Sequence, residues 1–434
     1  MSLRTDITSA RKVFRNIIRS RRTRREIVRR EREFPRPEAG TIRIAVYFAD
    51  TRVNLYQIRQ WYAPLRELAK VHPVAIITRS PGSALTINEE SGLPVMYLRS
   101  VVELEEFVAE QDIRIVLYVN QNTKNFQMFR YGRMWHTFIN HGESDKMYMT
   151  TNQFKAYDYA LVAGQAAIDR LSRKLWDFDV ERKALPIGRP QADHFAGEGE
   201  LPYTPDERTV VLYAPTWEGD RPAAAYGSIA SHGVALAEAV LASPRHRLVY
   251  RPHPRSGVID EVYRAANERI IQAIAAANAQ DASARHVFDD GPALGWQLAH
   301  ADVAITDISA MVYDRLATGR PIIVARPVSP DAEIDEEGFL GSAEWLRAPE
   351  AGRVLELVEK VQGDPAAREN LEHWARHHFG DTSPGATTAR FHAAIEQLMG
   401  EWARHAELHA GEPRSSESDP LDDEDDEGMP GGGD

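Results

Sequence analysis

The chain has 434 residues, 43% of them hydrophobic and 27% charged, a net charge of −12 and no cysteine. That length accommodates two packed domains, and the composition is that of a soluble globular protein. The lack of cysteine excludes disulfide frameworks and thiolate chemistry and suits a cytoplasmic protein. No apolar run approaches the ~18 residues of a bilayer span, and the opening "MSLRTDITSARKVFRN" has no signal-peptide h-region or small-residue cleavage site.

The net charge averages two opposed ends. Residues 1–33 hold twelve Lys/Arg and four Asp/Glu, net +8, whereas residues 411–434 hold ten Asp/Glu and one Arg, net −9. In the basic arm Leu3, Ile7, Ala10, Phe14 and Ile17 recur at helical spacing, with Val13 and Ile18 beside them. Arg21, Arg22, Arg24 and Arg25 follow. An amphipathic basic helix over residues 1–33, joined to the body by a linker that ends at residue 40, suits an anionic membrane surface, with Phe14, Ile17, Ile18, Arg21, Arg22, Arg24 and Arg25 as contacts. A helix packed on the body, or one gripping nucleic acid, would show the same pattern. The acidic remainder of the chain and the lack of a nucleic-acid-binding module argue against the last. The acidic tail, residues 409–434, is too poor in apolar residues to offset the entropy of ordering and reads as disordered. It would serve solubility or touch the basic arm.

After the proline-bounded linker "FPRPEAG", strand and helix patterns alternate. "IRIAVYFA" is an apolar strand, and "NLYQIRQWYAPLRELAK" a helix with a break or kink at Pro64. "HPVAIITRS" is a strand, "VVELEEFVAE" a helix, and "IRIVLYVN", "MWHTFINHG" and "YDYALVAG" are strands. A second series begins near Thr209 with "TVVLYAPT", "HRLVYRPHP", "ADVAITD" and "RPIIVARP". Short apolar runs separated by helices predict parallel sheets covered on both faces. The Gly/Pro-rich stretch from "LPIGRPQADHF" to "YTPDER" reads as the joint between a first domain, 41–200, and a second, 205–408. The fold class is thus α/β, with two Rossmann-like domains facing a cleft.

In such folds ligands sit at the carboxyl ends of strands. Four polar signals stand there: His141-Gly142, "APTWEG", "RPHP" and "TDIS". In the last, Asp307 or Ser309 can cap a helix whose free N–H groups suit a phosphate, and Asp314 could reach a sugar hydroxyl. Pro252 and Pro254 present Arg251 and His253 as a place for a pyrophosphate. Each of these patterns also occurs in ordinary turns and caps. Ser144, His141 and the acids Glu143 and Asp145 lie too close in sequence for a triad, and with His136 they match no metal-ligand spacing. No metal or cofactor is expected. GxGxxG and GxxxxGK[ST] are both missing, which argues against dinucleotide dehydrogenases and P-loop NTPases.

Taken in order, "HG" after an apolar strand, "LYAPTW", "RPHP", "TDIS…YD…GRPII" and "GDTSPGATTARFHAAI" resemble the CDP-glycerol glycerophosphotransferase family, the teichoic-acid primases and polymerases. The family's GT-B-like fold agrees with the two-domain reading. Two motifs depart from the family's usual pattern: Glu143 replaces the Thr of His-Gly-Thr, which bears on acceptor choice, and Ile308 and Ala310 alter Asp-Tyr-Ser-Ser. The resemblance implies a transferase moving glycerol phosphate, or a related polyol phosphate, from a CDP-alcohol to a hydroxyl of a lipid-linked polymer or primer, with release of CMP. His141 would be the base. His253, Arg251, Pro215, Thr216, Thr306, Asp307 and Ser309 would hold the donor, and Asp314 its ribose. The enzyme would work in the cytoplasm, on the inner face of the cell membrane. A nucleotide-sugar glycosyltransferase, or a non-catalytic scaffold of envelope assembly, remains an alternative. A non-hydrolysing epimerase would carry Ser-Gly-Gly where this chain has Ser309-Ala310-Met311.

Overall fold

The computed structural model describes residues 22, 25–27, 36–143, 150–197, 201–219, 221–291, 294–334 and 336–411. The predicted acidic tail from 412 on, and the basic arm apart from residues 22 and 25–27, lie outside the described residues.

The first sheet contains β1 (Ile44–Phe48), β2 (Val74–Thr78), β3 (Val95–Tyr97), β4 (Ile115–Tyr118), β5 (Trp135–Phe138), β6 (Tyr159–Val162) and β7 (Ala184–Pro186), in the order β3-β2-β1-β4-β5-β6-β7. Every pairing is parallel. The alternation of side chains across a strand explains its apolar runs. Ala45 and Tyr47 enter the core on one face, whereas Ile44, Val46 and Phe48 enter the core on the other.

The second sheet contains β8 (Thr209–Ala214), β9 (His246–Tyr250), β10 (Val287–Phe288), β11 (Val303–Thr306), β12 (Ile322–Ala325) and β13 (Trp345–Leu346), in the order β10-β9-β8-β11-β12-β13, again all parallel. Both sheets reverse their strand order beside the first strand of the domain, between β1 and β4 and between β8 and β11. The two Rossmann-like sheets read from the sequence are therefore present, each with a topological switch point.

Some details differ from the sequence reading. The long helix expected around Pro64 is two helices, Leu55–Arg59 and Tyr62–Ala69. Pro64 stands in the first turn of the second, where its missing N–H is tolerated and its ring prevents continuity with the first. The final helix, Ala386–Leu408, was assigned to the second domain but packs on the first. Phe391, Ile395 and Leu398 share a core with β1, β2 and β4, and the Trp135 indole N–H donates to the Leu398 carbonyl at 3.0 Å.

Candidate active site

On the first domain, the chain leaves β5 through Ile139 and turns at Asn140, which has φ of 54°. Asn tolerates that left-handed conformation better than most residues, because its short polar side chain bonds locally. Its carbonyl accepts the Trp61 indole N–H, and its side-chain oxygen accepts the His141 N–H at 2.8 Å. The His141 ring lies with Nδ1 3.1 Å from the Val119 carbonyl oxygen, just beyond β4. A carbonyl can only accept, so Nδ1 carries the proton and Nε2 holds the lone pair. The Tyr56 ring stands edge-on at 5.9 Å. Burial pushes the His141 pKa down to about 4; the Val119 hydrogen bond opposes that, and the positive charge of Arg189 reinforces it. The ring is neutral at neutral pH.

Val119 is itself supported by a polar cluster at the switch point that sequence reasoning missed. The Asn120 amide donates to Gln57 at 2.7 Å and to Asp50 at 3.1 Å, and Asn122 donates to Asp50 at 2.9 Å. Asp50 follows β1, so a polar residue ending an apolar run was the available signal. Glu143, expected to bear on the acceptor, is instead buried and paired with Arg170 of the helix Gln165–Lys174. An acid in that position is neutralised by the body and withdrawn from the cleft. Ser144 and Asp145 lie outside the described residues.

On the second domain the motifs converge. The backbone N–H of Thr216 donates to Asp307 at 2.8 Å and that of Ser228 at 3.0 Å. The His253 N–H donates to the Pro215 carbonyl at 3.1 Å. Glu218 accepts from the N–H groups of Gly257, Ile259 and Asp260 at 2.9–3.1 Å. Burial alone would raise the Glu218 pKa, but these backbone donors outweigh it and hold the carboxyl below its usual range. Glu218 thus fastens the loop after β9 to the loop after β8. The sequence reading quoted it within "APTWEG" without assigning it a role.

The side chains in this cluster divide into those that face the protein and those that do not. Ser309, not Asp307, caps the helix Ala310–Leu316, its oxygen accepting the Met311 N–H at 3.2 Å. Asp307, expected at the diphosphate, is fully buried, and burial drives its pKa up to about 7 despite the donors from Ser228 and Thr216. It joins the loop after β8 to the end of β11. Thr306 ends β11 and is likewise buried. Arg251, expected to project with His253, pairs with Asp289 at 2.5 Å and donates to the Gly291 carbonyl at 3.0 Å. Asp314 is buried and paired at 2.5 Å with Arg189 of the interdomain joint, so it is not available to a ribose. His253 is exposed, and its Nδ1 accepts the Arg255 N–H at 3.1 Å, which leaves the proton of the neutral ring on Nε2. Arg255, which was not anticipated, lies over the Trp217 ring at 3.7 Å.

The residues expected to contact a membrane are mostly untouched by these observations. Phe14, Ile17, Ile18, Arg21 and Arg24 lie outside the described residues; Arg22 and Arg25 are helical and exposed. Among the described residues no helix is long and apolar enough to cross a membrane, and no group of three His, Cys, Asp or Glu could hold a metal ion. A cavity of about 640 Å³ lined by Trp135, His136, Trp402 and His405 lies at the amino ends of β4, β5 and β6, the wrong end of the sheet for this chemistry.

The family CDP-Glycerol:Poly(glycerophosphate) glycerophosphotransferase matches residues 137–333, an interval that contains both histidine loops and the Asp307–Asp314 segment. This bears out the resemblance read from the motifs and indicates a glycerophosphotransferase-type enzyme. No curated protein matches the chain significantly in sequence. Among solved structures, the wall teichoic acid polymerase TagF, in a variant soaked with CDPG, is similar with a TM-score of 0.53 at 15% identity, covering 92% of this chain and 99% of that one. A UDP-N-acetylglucosamine 2-epimerase is similar with a TM-score of 0.55 at 14% identity, covering 86% and 98%. An epimerase of the same kind from Listeria monocytogenes has a TM-score of 0.53 at 14% identity, covering 83% and 98%. At these identities the likeness establishes the shared two-domain fold.

Proposed function

We propose that this chain, matched to the CDP-glycerol glycerophosphotransferases over 137–333, transfers glycerol phosphate or a related polyol phosphate from a CDP-alcohol to a hydroxyl of a membrane-linked polymer or primer. The observation that carries this reading is the tautomer of His141. A neutral ring anchored through Nδ1–H has Nε2 ready to take a proton, at a strand end inside the matched interval.

The acceptor hydroxyl gives its proton to Nε2 of His141 as its oxygen attacks the phosphorus that bears the glycerol. The bond from that phosphorus to the bridging oxygen breaks, and CMP leaves with the electron pair. Nε2–H of His253 donates to the donor phosphates, and the Arg255 guanidinium beside it offsets charge. A pKa near 4 makes His141 a weak base in the free protein. A diphosphate brings negative charge and raises that pKa toward neutrality, where a general base works best. Asp307 and Glu218 act by holding the two loops together. A basic arm with net charge +8 would keep the enzyme on the cytoplasmic face of an anionic membrane, where each basic residue contributes about 1 kcal/mol.

Incubation with radiolabelled CDP-glycerol and membranes, with sizing of the product, tests the reading. Labelled polymer and released CMP are expected. Turnover of UDP-sugars in place of CDP-glycerol would assign the fold to glycosyl transfer, and failure to bind any CDP-alcohol would point to a scaffold. Deleting residues 1–33 should leave transfer to a short soluble acceptor unchanged and abolish flotation with anionic liposomes. Equal flotation of the truncated and full-length proteins would remove the membrane role of the arm.

A further inference from the structure

Arg189 belongs to the joint between the domains, three residues after β7. Its guanidinium is 95% buried, donates to the Gln60 side chain at 2.7 Å and pairs with Asp314 at 2.5 Å. Gln60 lies between the helices Leu55–Arg59 and Tyr62–Ala69 of the first domain, whereas Asp314 is on the helix that Ser309 caps in the second. A Cβ on Gly142 would lie 3.8 Å from the guanidinium, and both residues line a cavity of about 40 Å³ with Trp61 and Asn140. The Thr387 hydroxyl shares its one proton between the Arg189 carbonyl at 3.0 Å and Asp193 at 2.7 Å. One buried cation thus joins the first domain to the donor domain at Gln60 and Asp314 and stands beside the base loop.

We propose that Arg189 is a positioning residue that ties the His141-Gly142 loop to the helix Ala310–Leu316 of the donor domain, and that Asp314 serves to hold Arg189. A guanidinium suits this task because Nη2 reaches both Gln60 and Asp314 while Nη1 faces Gly142, a spread that the single nitrogen of an ammonium cannot reproduce. The inference rests on the reading of His141 as the base and extends it. A second consequence is electrostatic. Tyr56 on the helix Leu55–Arg59 and Arg189 act on the His141 ring directly; Glu143, two residues on, is paired with Arg170, and Asp50 beyond β1 is held by Asn120, the neighbour of Val119. Of these, Arg189 carries the charge that favours the neutral ring.

The test is NMR titration of the labelled His141 ring in the intact protein, alongside steady-state transfer from CDP-glycerol. Arg189→Gln removes the cation, so His141 should titrate higher by about one pH unit. Arg189→Lys keeps the charge and loses the fork; His141 should titrate near its native value while kcat falls about 10²-fold and KM for CDP-glycerol changes little. Asp314→Asn leaves the cation unmatched and should move His141 the opposite way from Arg189→Gln. An unmoved His141 titration in Arg189→Gln, or full kcat in Arg189→Lys, overturns the proposal. Either result is distinct from failure of the base reading, which would show as undiminished transfer by His141→Ala whatever the titrations do.

Discussion

His141 and Asp307 each lie just beyond a strand end at the crevice, and burial drives both toward their neutral forms. The consequences differ in sign. With its folded pKa near 7, Asp307 keeps its proton in the native state after the unfolded chain has lost it, so stability falls as pH rises from about 4 to about 7. The full effect is on the order of 4 kcal/mol. Asp307→Asn cannot ionise, and its amide oxygen can still accept from Thr216 and Ser228. Urea unfolding at several pH values should show a flatter profile for the variant; identical slopes would mean that Asp307 is not protonated in the fold. For His141 the depressed pKa means that the neutral ring is already present at neutral pH, and kcat/KM should carry no His141 limb from about pH 5 upward. His141→Ala should lower single-turnover transfer by ~10²–10⁴ while donor affinity, read by calorimetry, stays nearly constant.

Loops do the positioning at the scale of elements. The loop carrying His253 has its own backbone N–H groups turned onto Glu218, three of them on one carboxylate. Glu218→Ala leaves those donors without their acceptor, and hydrogen bonds to a charged group contribute about 1.5–3 kcal/mol each at most. Amide exchange across residues 253–260 should accelerate and CDP-glycerol affinity should drop, with the rest of the second domain protected as before. Unchanged exchange in that loop would show that Glu218 is not its anchor. Ser309→Ala removes a helix cap, worth about 1 kcal/mol of stability. Its effect on donor binding should be smaller than that of His253→Ala.

The molecule as a whole is closed by its last helix. Ala386–Leu408 starts at the joint, where Asp193 of the first domain accepts from the N–H groups of Gly385 and Thr388 and the Thr387 hydroxyl at 2.7–3.1 Å. It then covers the first sheet, burying Phe391, Ile395 and Leu398. Phe391→Ala should cost about 3–5 kcal/mol. Limited proteolysis of that variant should open the first domain before the second. Cleavage beginning in the second domain would contradict the packing described here.

The two sheets were legible because apolar runs of four to six residues recur with helices between them, and a parallel sheet buried on both faces demands that pattern. The clustering of "APTW", "RPHP" and "TDIS" followed from the same logic, since strand ends of one parallel sheet share one edge. The strands β3, β7, β10 and β13, of two or three residues each, left no such run to read. Side-chain direction was decided only by packing. Asp307, Arg251 and Asp314 are polar residues at crevice ends, and from sequence each was as suited to a ligand as to a neighbour. Burial turns them inward, because a polar or charged group withdrawn from water needs a partner, and the partners are Thr216 and Ser228, Asp289, and Arg189. Those partners lie between 38 and 125 residues away along the chain, a separation that no local pattern encodes. Sequence by itself determined the class of fold and which loops meet; tertiary structure decided which of their side chains remain free for chemistry.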